Sequence, residues 1–318
     1  MPIERQLDVS IVIPVYGSEE ILPSLISEIA FAMKSAKYDY EIILVCDASP
    51  DQSWTVINEL SIENSHIKGI LLRVNVGQHN ALMAGLRKAS APVIVTMDDD
   101  LQHSPANIIA LVEKIADGND VAYGRFITRN HPLWKRMGSK LNGIVSSYLL
   151  GKDSSLYLSP FRAFTKDISI EIQRYHGPYV YIDGLITGCT KKIVEVSVPH
   201  HKRFSGESRY GLRKSISLWL KMATSFSITP LRLTSFAGLI FSGLGFLMAI
   251  ILIFQKFTTD SMPVGWSSIV VTILIIGGFQ LLALGMIGEY LGRALLTINQ
   301  RPQYVIGGNV GFSDVNSK

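Results

Sequence analysis

Three consecutive carboxylates stand in the segment Thr96 to His103, which reads TMDDDLQH. Asp98, Asp99 and Asp100 follow an apolar run, and Gln102 stands two residues after the last of them. Crowded carboxylates repel one another, so a fold that holds them at a strand end needs a compensating cation. Ligands that offer only oxygen favour a hard divalent ion, Mg²⁺ or Mn²⁺. The alternative is an acidic turn that caps the next helix, for which the Ser-Pro pair that follows is well suited.

A second stretch, residues 200–213, is rich in basic side chains. It reads HHKRFSGESRYGLR and has a single acid, Glu207. Arginine offers a planar fork of donors that fits phosphate oxygens, so the stretch predicts the capture of a phosphate. The adjacent histidines are weak evidence for a metal, because no third ligand stands at a suitable spacing. A basic and aromatic segment at 129–140 is a further candidate surface, with a solvated basic face as the alternative.

The elements that must position these residues alternate between strands and helices. Short β-branched runs predict the strands, and apolar residues at helical spacing predict the helices. This alternation is typical of an α/β domain with a mostly parallel sheet and right-handed crossovers. In such sheets ligands collect beyond the carboxyl ends of the strands, where this chain carries polar turns. The predicted strands are 9–15, 40–46, 67–74, 92–97 and 121–126, and the predicted helices are 19–34, 51–64, 78–89 and 105–117.

One more acid stands in an unusual setting. Asp183 lies between apolar and aromatic neighbours in the segment 179–184. An acid so placed is either hydrogen-bonded in a loop or functional. No segment resembles GxGxxG or a P-loop, so nothing in the sequence supports nucleotide binding through a glycine-rich phosphate loop.

The second half of the chain is apolar enough to enter a membrane. The chain is 47% hydrophobic, and its mean hydropathy is +0.27. Residues 233–254 form a run without a charged side chain, which makes about 33 Å of helix, and 264–287 form a second. Basic residues flank the pair, which predicts a hairpin with both ends in the cytoplasm. Residues 213–232 have the composition of an interfacial helix, although a core helix would look similar.

The net charge and the amino terminus indicate the kind of partner and the cellular compartment. A formal charge of +4 is too small to argue for nucleic acid, and it suits a surface near anionic lipid or phosphate. The amino terminus shows no export signal, which predicts a cytoplasmic first half. The acidic site, the basic stretches and the hairpin together predict a reaction between a soluble, diphosphate-bearing donor and a phosphate carried by a lipid.

Seven segments of the chain together resemble the polyprenyl-phosphate glycosyltransferases of family 2, which have the Rossmann-like GT-A fold. The resemblance covers nearly the whole chain in the same order, and TMDDDLQ and RFSGESRYG are its most specific pieces. It implies an inverting transfer from a UDP- or GDP-linked sugar to a polyprenyl phosphate. The lipid would be undecaprenyl phosphate, and the membrane a bacterial inner membrane. It also implies a homo-oligomer such as a tetramer. The segments are IVIPVYGSEE, VCDASPD, VNVGQHNALMAG, TMDDDLQ, FRAF, RFSGESRYG and GEYLGR.

The resemblance assigns residues to three subsites. The nucleotide-sugar subsite would comprise Pro14, Tyr16, Glu20, Asp47, Asp51, Gln78, Asp98 and Asp99. The acceptor-phosphate subsite would comprise Arg125, Lys135, Arg136, Ser139, Arg162, Arg203, Ser208 and Arg209. The metal subsite would comprise Asp98, Asp100 and Gln102, with Asp100 and Gln102 as the direct ligands. Within the triplet, Asp98 would face the donor and Asp99 would be the expendable member.

The sequence departs from the family at one catalytic position. Many relatives have an aspartate, proposed as a base, a few residues before the segment that contains Arg162, and here Leu156 takes that place. Asp153 and Asp183 are the remaining candidates. A phosphate monoester has a second pKa near 6, so the acceptor is largely an anion at neutral pH and needs no strong base. We therefore expect a base-free, in-line attack by the lipid phosphate.

The predicted layout has four parts. Residues 1–212 would form the catalytic domain, 213–232 an interfacial region, 233–288 the two transmembrane helices and 289–318 a cytoplasmic tail. Two alternatives share the same fold. A processive family 2 polysaccharide synthase would need more membrane spans and a QxxRW segment. A membrane-anchored scaffold without turnover would not need the intact DDDLQ.

Overall fold

The computed structural model describes residues 7–126, 156–177, 180–199, 229–258, 265–299 and 301–312. Within these ranges the strands are β1 (Val9–Val15), β2 (Tyr40–Cys46), β3 (Ile67–Leu72), β4 (Val93–Thr96), β5 (Val121–Phe126), β6 (Arg162–Thr165), β7 (Ile193–Val198) and β8 (Ile306–Val310). The helices are α1 (Leu22–Ala36), α2 (Ser53–Glu63), α3 (Gln78–Leu86), α4 (Asn107–Ala116), α5 (Lys166–Gln173), α6 (Ile182–Cys189), α7 (Thr229–Thr258) and α8 (Trp266–Ile298).

The strands form one sheet in the order β7-β5-β6-β4-β1-β2-β3-β8. β1 pairs in parallel with β2 on one side and with β4 on the other, so the strand order reverses between β1 and β4. In open α/β sheets the ligand crevice lies beyond the carboxyl ends of the strands at such a reversal. The strands β6 and β8 run antiparallel to their neighbours. The predicted α/β sheet, mostly parallel and flanked by helices, is confirmed.

The sheet is buried on both faces, which explains the continuous apolar runs of its central strands. Ile11 and Ile13 of β1 pack into one core with residues of α1, α2 and α4, whereas Val12 packs into the other with residues of α3, α5 and α6. Gly85 lets α3 lie close to the sheet, because a Cβ there would stand 2.3 Å from Val12 Cγ1. The last turn of α3 therefore packs directly against the sheet.

The chain returns to the sheet after its apolar helices. Residues 289–318 are predicted to form a cytoplasmic tail, but in the structure α8 continues to Ile298 and β8 then pairs antiparallel with β3. The five residues of β8, IGGNV, include two glycines and lack an alternating pattern, so neither propensity nor periodicity identifies the strand. The edge of the sheet next to β3 is thus covered by the end of the chain.

The helices α7 and α8 form a compact unit of their own and pack antiparallel. Thr234 Oγ1 lies 3.8 Å from Met286 Sδ, and the Phe241 and Phe279 rings have centroids 5.1 Å apart. In the described part of the chain, Ile275–Ile298 is long and apolar enough to cross a membrane, and Thr234–Leu247 is a shorter apolar segment. The hairpin of 233–254 and 264–287 stays a prediction, and most of the interfacial region lies outside the described residues.

Glu41 joins four segments by hydrogen bonds at the edge of the sheet opposite the carboxyl ends of the parallel strands. Its side chain is 2% exposed and accepts hydrogen bonds from Lys68 Nζ at 2.5 Å, Ser10 Oγ at 2.5 Å and the backbone nitrogen of Ser90 at 2.8 Å. Burial acts to raise the pKa of Glu41, but the donors from Lys68, Ser10 and Ser90 outweigh it and lower the pKa. The ionised carboxylate is therefore the form that the fold stabilises.

Replacing Glu41 with glutamine is expected to lower the free energy of unfolding at pH 7 by about 2–3 kcal/mol, because Lys68 loses its buried partner. The pKa is lower in the folded state, so the stabilisation is present above the ordinary glutamate pKa and is lost as the pH falls through the folded value. Thermal unfolding of both proteins between pH 7 and pH 3 measures this, and the difference should shrink on acidification. Glu113→Gln, at an exposed position, is the control. Equal midpoints at pH 7 would contradict the prediction.

Candidate active site

The carboxylates of the triplet point in three directions. Gln78 Nε2, at the start of α3, donates to Asp98 Oδ1. Asp99 Oδ2 accepts from Tyr16 N at 3.1 Å and from Ser18 Oγ at 2.5 Å, which joins the end of β4 to the end of β1. The three acids thus occupy the crevice where the strand order reverses.

Asp100 belongs to a tight turn. Its Oδ1 accepts from the backbone nitrogen of Gln102 at 3.2 Å. Leu101, between them, has φ of 57°, in the left-handed region that side chains with a Cβ seldom adopt. Ala48 in the loop after β2 has φ of 48°. Such strained residues cluster at ligand sites, because the surrounding structure must hold them in place.

Asp99 joins two loops in the structure, a contact that the sequence-based division of the triplet does not include. Burial raises the pKa of Asp99 and the charge of Asp100 adds to this, while the donors from Ser18 and Tyr16 act to lower it. The Asp99 carboxylate fixes the backbone of the loop that carries Tyr16, whose side chain is 47% exposed. A side chain with an open aromatic face beside this crevice could stack on a base.

The loops after β1 and β2 are joined by reciprocal hydrogen bonds. Glu19 N donates to Asp51 Oδ2 at 3.1 Å, and Gln52 N donates to Glu19 Oε2 at 2.6 Å. Ser49 Oγ donates to Asp51 Oδ1 at 2.5 Å. Partial burial acts to raise the pKa of Asp51, but hydrogen bonds from Ser49, Ser53 and Glu19 lower it. These contacts join the two loops at the carboxyl edge of the sheet, and α1 and α2 begin just after them, later than predicted.

Asp47 is buried at the end of β2 and organises the start of α3. Its two carboxylate oxygens accept from Val76 N and Gly77 N, each at 2.8 Å. Gly77 has φ of 85°, which residues with a Cβ rarely adopt. Burial raises the pKa of Asp47, and the two backbone donors partly offset this. Asp47 therefore orients α3, and through it Gln78, towards the triplet.

The donor set fits a hard divalent ion. Asp98 and Asp100 supply carboxylate oxygens, and Gln102 adds an amide oxygen on the same turn. Among the described residues no group of three histidine, cysteine or acidic side chains is already arranged around a metal. That is compatible with Mg²⁺ or Mn²⁺, because such ions are often held by one or two carboxylates together with substrate phosphates and water.

Beneath the triplet lies a buried ion pair. Arg162, 1% exposed at the start of β6, donates from Nη1 to Asp183 Oδ1 and from Nε to Thr96 Oγ1, the latter at 3.0 Å. Tyr123 of β5 donates its hydroxyl to the same Asp183 oxygen at 2.9 Å. Thr96 is the last residue of β4, so this cluster holds the strand that carries the triplet.

These contacts change the roles predicted for two residues. Arg162 is expected from the resemblance to approach the acceptor phosphate, but its guanidinium is enclosed and occupied by Asp183 and Thr96. Asp183 is a candidate base, but its described contacts bind it to Arg162 and Tyr123. Both side chains are buried and bound to each other in this arrangement, which agrees with a positioning role.

His79 joins the buried cluster to α3. Its ring lies edge-on to Tyr181, with centroids 5.3 Å apart. Burial, aided by the positive charge of Arg162 and opposed by Asp183, lowers the pKa of His79 to about 4. The imidazole is therefore neutral at physiological pH. Within the described part of the chain its Nδ1 is enclosed and makes no hydrogen bond.

Arg125 lies at the same edge of the sheet. β6 runs antiparallel to both β4 and β5, so β4 and β5 point the same way, and β7 is parallel to β5. The carboxyl ends of all three strands therefore meet at one edge. Arg125, which is exposed near the end of β5, pairs with Glu195 of β7 at 2.7 Å.

The structure brings together most of the residues predicted for the donor and metal subsites. Pro14 is buried within β1 and positions Tyr16, and Glu20 is exposed in the following loop. Seven predicted residues lie outside the described ranges: Lys135, Arg136, Ser139, Asp153, Arg203, Ser208 and Arg209. Sequence reasoning did not single out Ser18, Ser49, Ser53, His79 or Tyr123. The serines near Asp51 stand at turn-like spacing, whereas nothing in the sequence links Tyr123 to Asp183.

Similarity to known proteins agrees with this geometry. A family model described as glycosyl transferase family 2 matches residues 10–173. An undecaprenyl-phosphate 4-deoxy-4-formamido-L-arabinose transferase of Photorhabdus laumondii is 33% identical, and the match covers 99% of this chain and 98% of the relative. An uncharacterized glycosyltransferase of Bacillus subtilis, YkcC, is 32% identical over 98% of this chain and 96% of its own length.

A solved structure supports the fold alone. The crystal structure of a mycobacterial protein matches with a TM-score of 0.50 and 17% identity, covering 68% of this chain and 75% of that one. The predicted GT-A class is confirmed for the sheet and its helices.

Proposed function

The chain belongs to glycosyl transferase family 2, and on that premise we propose that it moves one sugar from a nucleotide-sugar donor to the phosphate of a polyprenyl lipid. The observation that carries the proposal is the convergence of strand ends. β4 delivers the carboxylate triplet, and β7 ends on the same edge at Val198, two residues before the basic stretch 200–213 begins. The acidic triplet and the end of β7, from which the basic stretch follows in sequence, thus share one edge of the sheet.

The donor would occupy the crevice between the ends of β1 and β4. Tyr16 offers an exposed ring for the base, and the wall built by Asp51 and Glu19 shapes the pocket beside it. Asp98 and Asp100 would hold Mg²⁺ or Mn²⁺ with Gln102, and a bound ion would neutralise the charge that develops on the departing diphosphate. A screen of UDP- and GDP-linked sugars identifies the nucleotide and the sugar.

The acceptor would approach from the edge where β5 and β7 end. Arg125 and the arginines of the basic stretch, Arg203 and Arg209 among them, would bind the lipid phosphate through paired donors. Replacing Glu195 by the phosphate as the partner of Arg125 costs little free energy, because a surface ion pair contributes only about 0–1 kcal/mol. The acceptor is therefore held without the buried Arg162.

Transfer would be a single in-line displacement with inversion. A lipid phosphate oxygen forms a bond to the anomeric carbon as the bond from that carbon to the nucleoside diphosphate breaks. The acceptor phosphate has a second pKa near 6 and is already largely dianionic at neutral pH, so no proton need be removed. The occupied state of Asp183 agrees with this base-free route, in which the protein acts by positioning and by charge.

The returning strand supports a hairpin at a membrane. β8 belongs to the same sheet as β1 to β7, so the chain between β7 and β8 must end on the side of the membrane where it began. Any crossings in that interval are therefore even in number. Two crossings by the antiparallel helices α7 and α8 meet that condition, and we place the catalytic domain on the cytoplasmic face of the bacterial inner membrane.

The proposal is tested with membranes that contain the protein and matched membranes that lack it. Both are incubated with undecaprenyl phosphate and each of a set of labelled UDP- and GDP-sugars, with and without EDTA, and extracted with butanol. One donor is expected to label the lipid fraction only when the protein is present, and EDTA should abolish the signal while added Mn²⁺ or Mg²⁺ restores it. Absence of label with every donor would contradict the proposal, and label that survives EDTA would contradict its metal dependence.

A further inference from the structure

The segment 301–312, here called the strap, follows α8 and lies along the sheet unit. Besides the pairing of β8 with β3, the backbone nitrogen of Arg73 donates to Val305 O at 2.9 Å. The Phe312 ring lies under two ammonium groups, with Lys68 Nζ 5.5 Å and Lys88 Nζ 5.6 Å from its centroid. The strap is thus attached to the catalytic domain at both of its ends.

Gln303 makes the most specific contact of the strap. Its Nε2 donates to Tyr175 O and to Gly177 O, each at 2.9 Å. These two carbonyls belong to the turn after α5, and the chain continues from there to Tyr181 and α6. One half-buried amide therefore uses both of its hydrogens to hold the turn that leads to Asp183.

Tyr304, the next residue of the strap, contacts the end of α3. Arg87 follows the last turn of α3, its Nη1 donates to Tyr304 Oη at 3.2 Å, and its guanidinium lies 5.4 Å from the centroid of that ring. The opposite end of α3 carries Gln78, which binds Asp98, and His79, which contacts Tyr181. The strap thus contacts the end of α3 and the turn that precedes α6. The start of α3 and the start of α6 meet at the His79 and Tyr181 rings.

We propose that Gln303 is a positioning residue for the active site. By fixing the turn at 175–177 it sets the position of Tyr181 and Asp183 against α3 and so keeps His79 and the Arg162 ion pair in register under the triplet. The expected effect of Gln303 on turnover rests on the proposed function, whereas its expected effect on the position of α6 does not.

Two matched variants of the full-length protein in detergent test the proposal. Gln303→Glu removes both donors and sets a carboxylate against two carbonyls, while it keeps an oxygen that can accept from Arg87, whose Nη2 lies 3.5 Å from Gln303 Oε1. Asn309→Asp makes the same amide-to-acid change at an exposed position of the same strap. Hydrogen exchange of the ligand-free proteins should be at least about fivefold faster in Gln303→Glu over 180–189, and unchanged there in Asn309→Asp. Gln303→Ala replaces Gln303→Glu should the latter not fold.

Turnover gives the second measurement, using the donor identified by the lipid-labelling screen. We expect kcat for Gln303→Glu to fall about tenfold at a temperature well below its unfolding midpoint, with the KM for the donor within about twofold of wild type. Faster exchange confined to β8 and β3, or equal changes over 180–189 in both variants, would overturn the proposal. Wild-type protein that turns over no donor would refute the proposed function instead, and the exchange result would still decide the role of Gln303.

Discussion

Replacing Asp100 with alanine is expected to lower kcat/KM for sugar transfer by about a thousandfold, or about 4 kcal/mol of transition-state stabilisation. The Asp100 carboxylate stands on the strained turn with Gln102. In the proposed mechanism it would help to hold the divalent ion that neutralises the departing diphosphate, so its loss would slow the transfer. The measurement is the initial rate of lipid labelling at several donor concentrations. Thermal unfolding should change little, because Asp100 is only half-buried.

Asp117→Ala is the matched control for this loss. Asp117 is an exposed carboxylate at the far end of α4, paired with Lys114 at 2.7 Å. Its removal should leave kcat/KM within about twofold of wild type, since surface pairs contribute little. A loss below about tenfold for Asp100→Ala, or an equal loss in both variants, would show that the triplet is not the centre of the reaction.

Replacing Asp183 with asparagine is expected to lower the free energy of unfolding by about 3–5 kcal/mol, because the buried Arg162 loses the charge that compensates it. For a domain of this size the unfolding midpoint should fall by about 8–15 °C. Scanning calorimetry or circular dichroism of the purified full-length protein measures the change. Glu171→Gln, which breaks the exposed pair with Arg174, should cost less than about 1 kcal/mol.

A second substitution separates charge from packing at the same site. The double variant Arg162→Met with Asp183→Leu removes both charges, and it should recover part of the stability that Asp183→Asn loses. An unfolding midpoint for Asp183→Asn that equals wild type would show that Asp183 does not compensate Arg162.

The ion pair also limits what an Asp183 substitution can say about catalysis. A fall in activity in Asp183→Asn would combine lost packing beneath the triplet with any lost proton transfer. The sequence leaves Asp153 and Asp183 as candidate bases, but the ion pair with Arg162 makes an Asp183 substitution unsuitable for detecting one. Asp153, outside the described residues, remains the candidate on which the base-free route can be examined without this complication.

Much of the catalytic fold could be predicted because its information is local. The strands β1, β2 and β4 are mostly apolar and almost entirely buried, and each is followed by a polar turn. The regular alternation with amphipathic helices then specifies a parallel sheet. The triplet could be placed at the carboxyl edge for the same reason, because a strand end and a run of acids are adjacent in sequence.

The rest depends on contacts between distant segments. Tyr123 and Asp183 are sixty residues apart, and Gln303 is 126 residues from Gly177. No local pattern reports such pairs. Arg162 shows the consequence, because its place in a family motif predicts a phosphate ligand, whereas its partner in the structure is a buried acid. The same holds for Asp99, whose partners are a backbone nitrogen and a hydroxyl in the loop after β1.

The most direct measurement of the central claim is the identity of both products. Purified protein, undecaprenyl phosphate and the active nucleotide sugar are incubated, and the nucleotide released and the mass of the extracted lipid are determined together. The account predicts one nucleoside diphosphate released for each lipid formed, and a lipid whose mass equals that of undecaprenyl phosphate plus one sugar residue. Release of a nucleoside monophosphate with a diphosphate-linked lipid, or label in a polymer of several sugars, would contradict it.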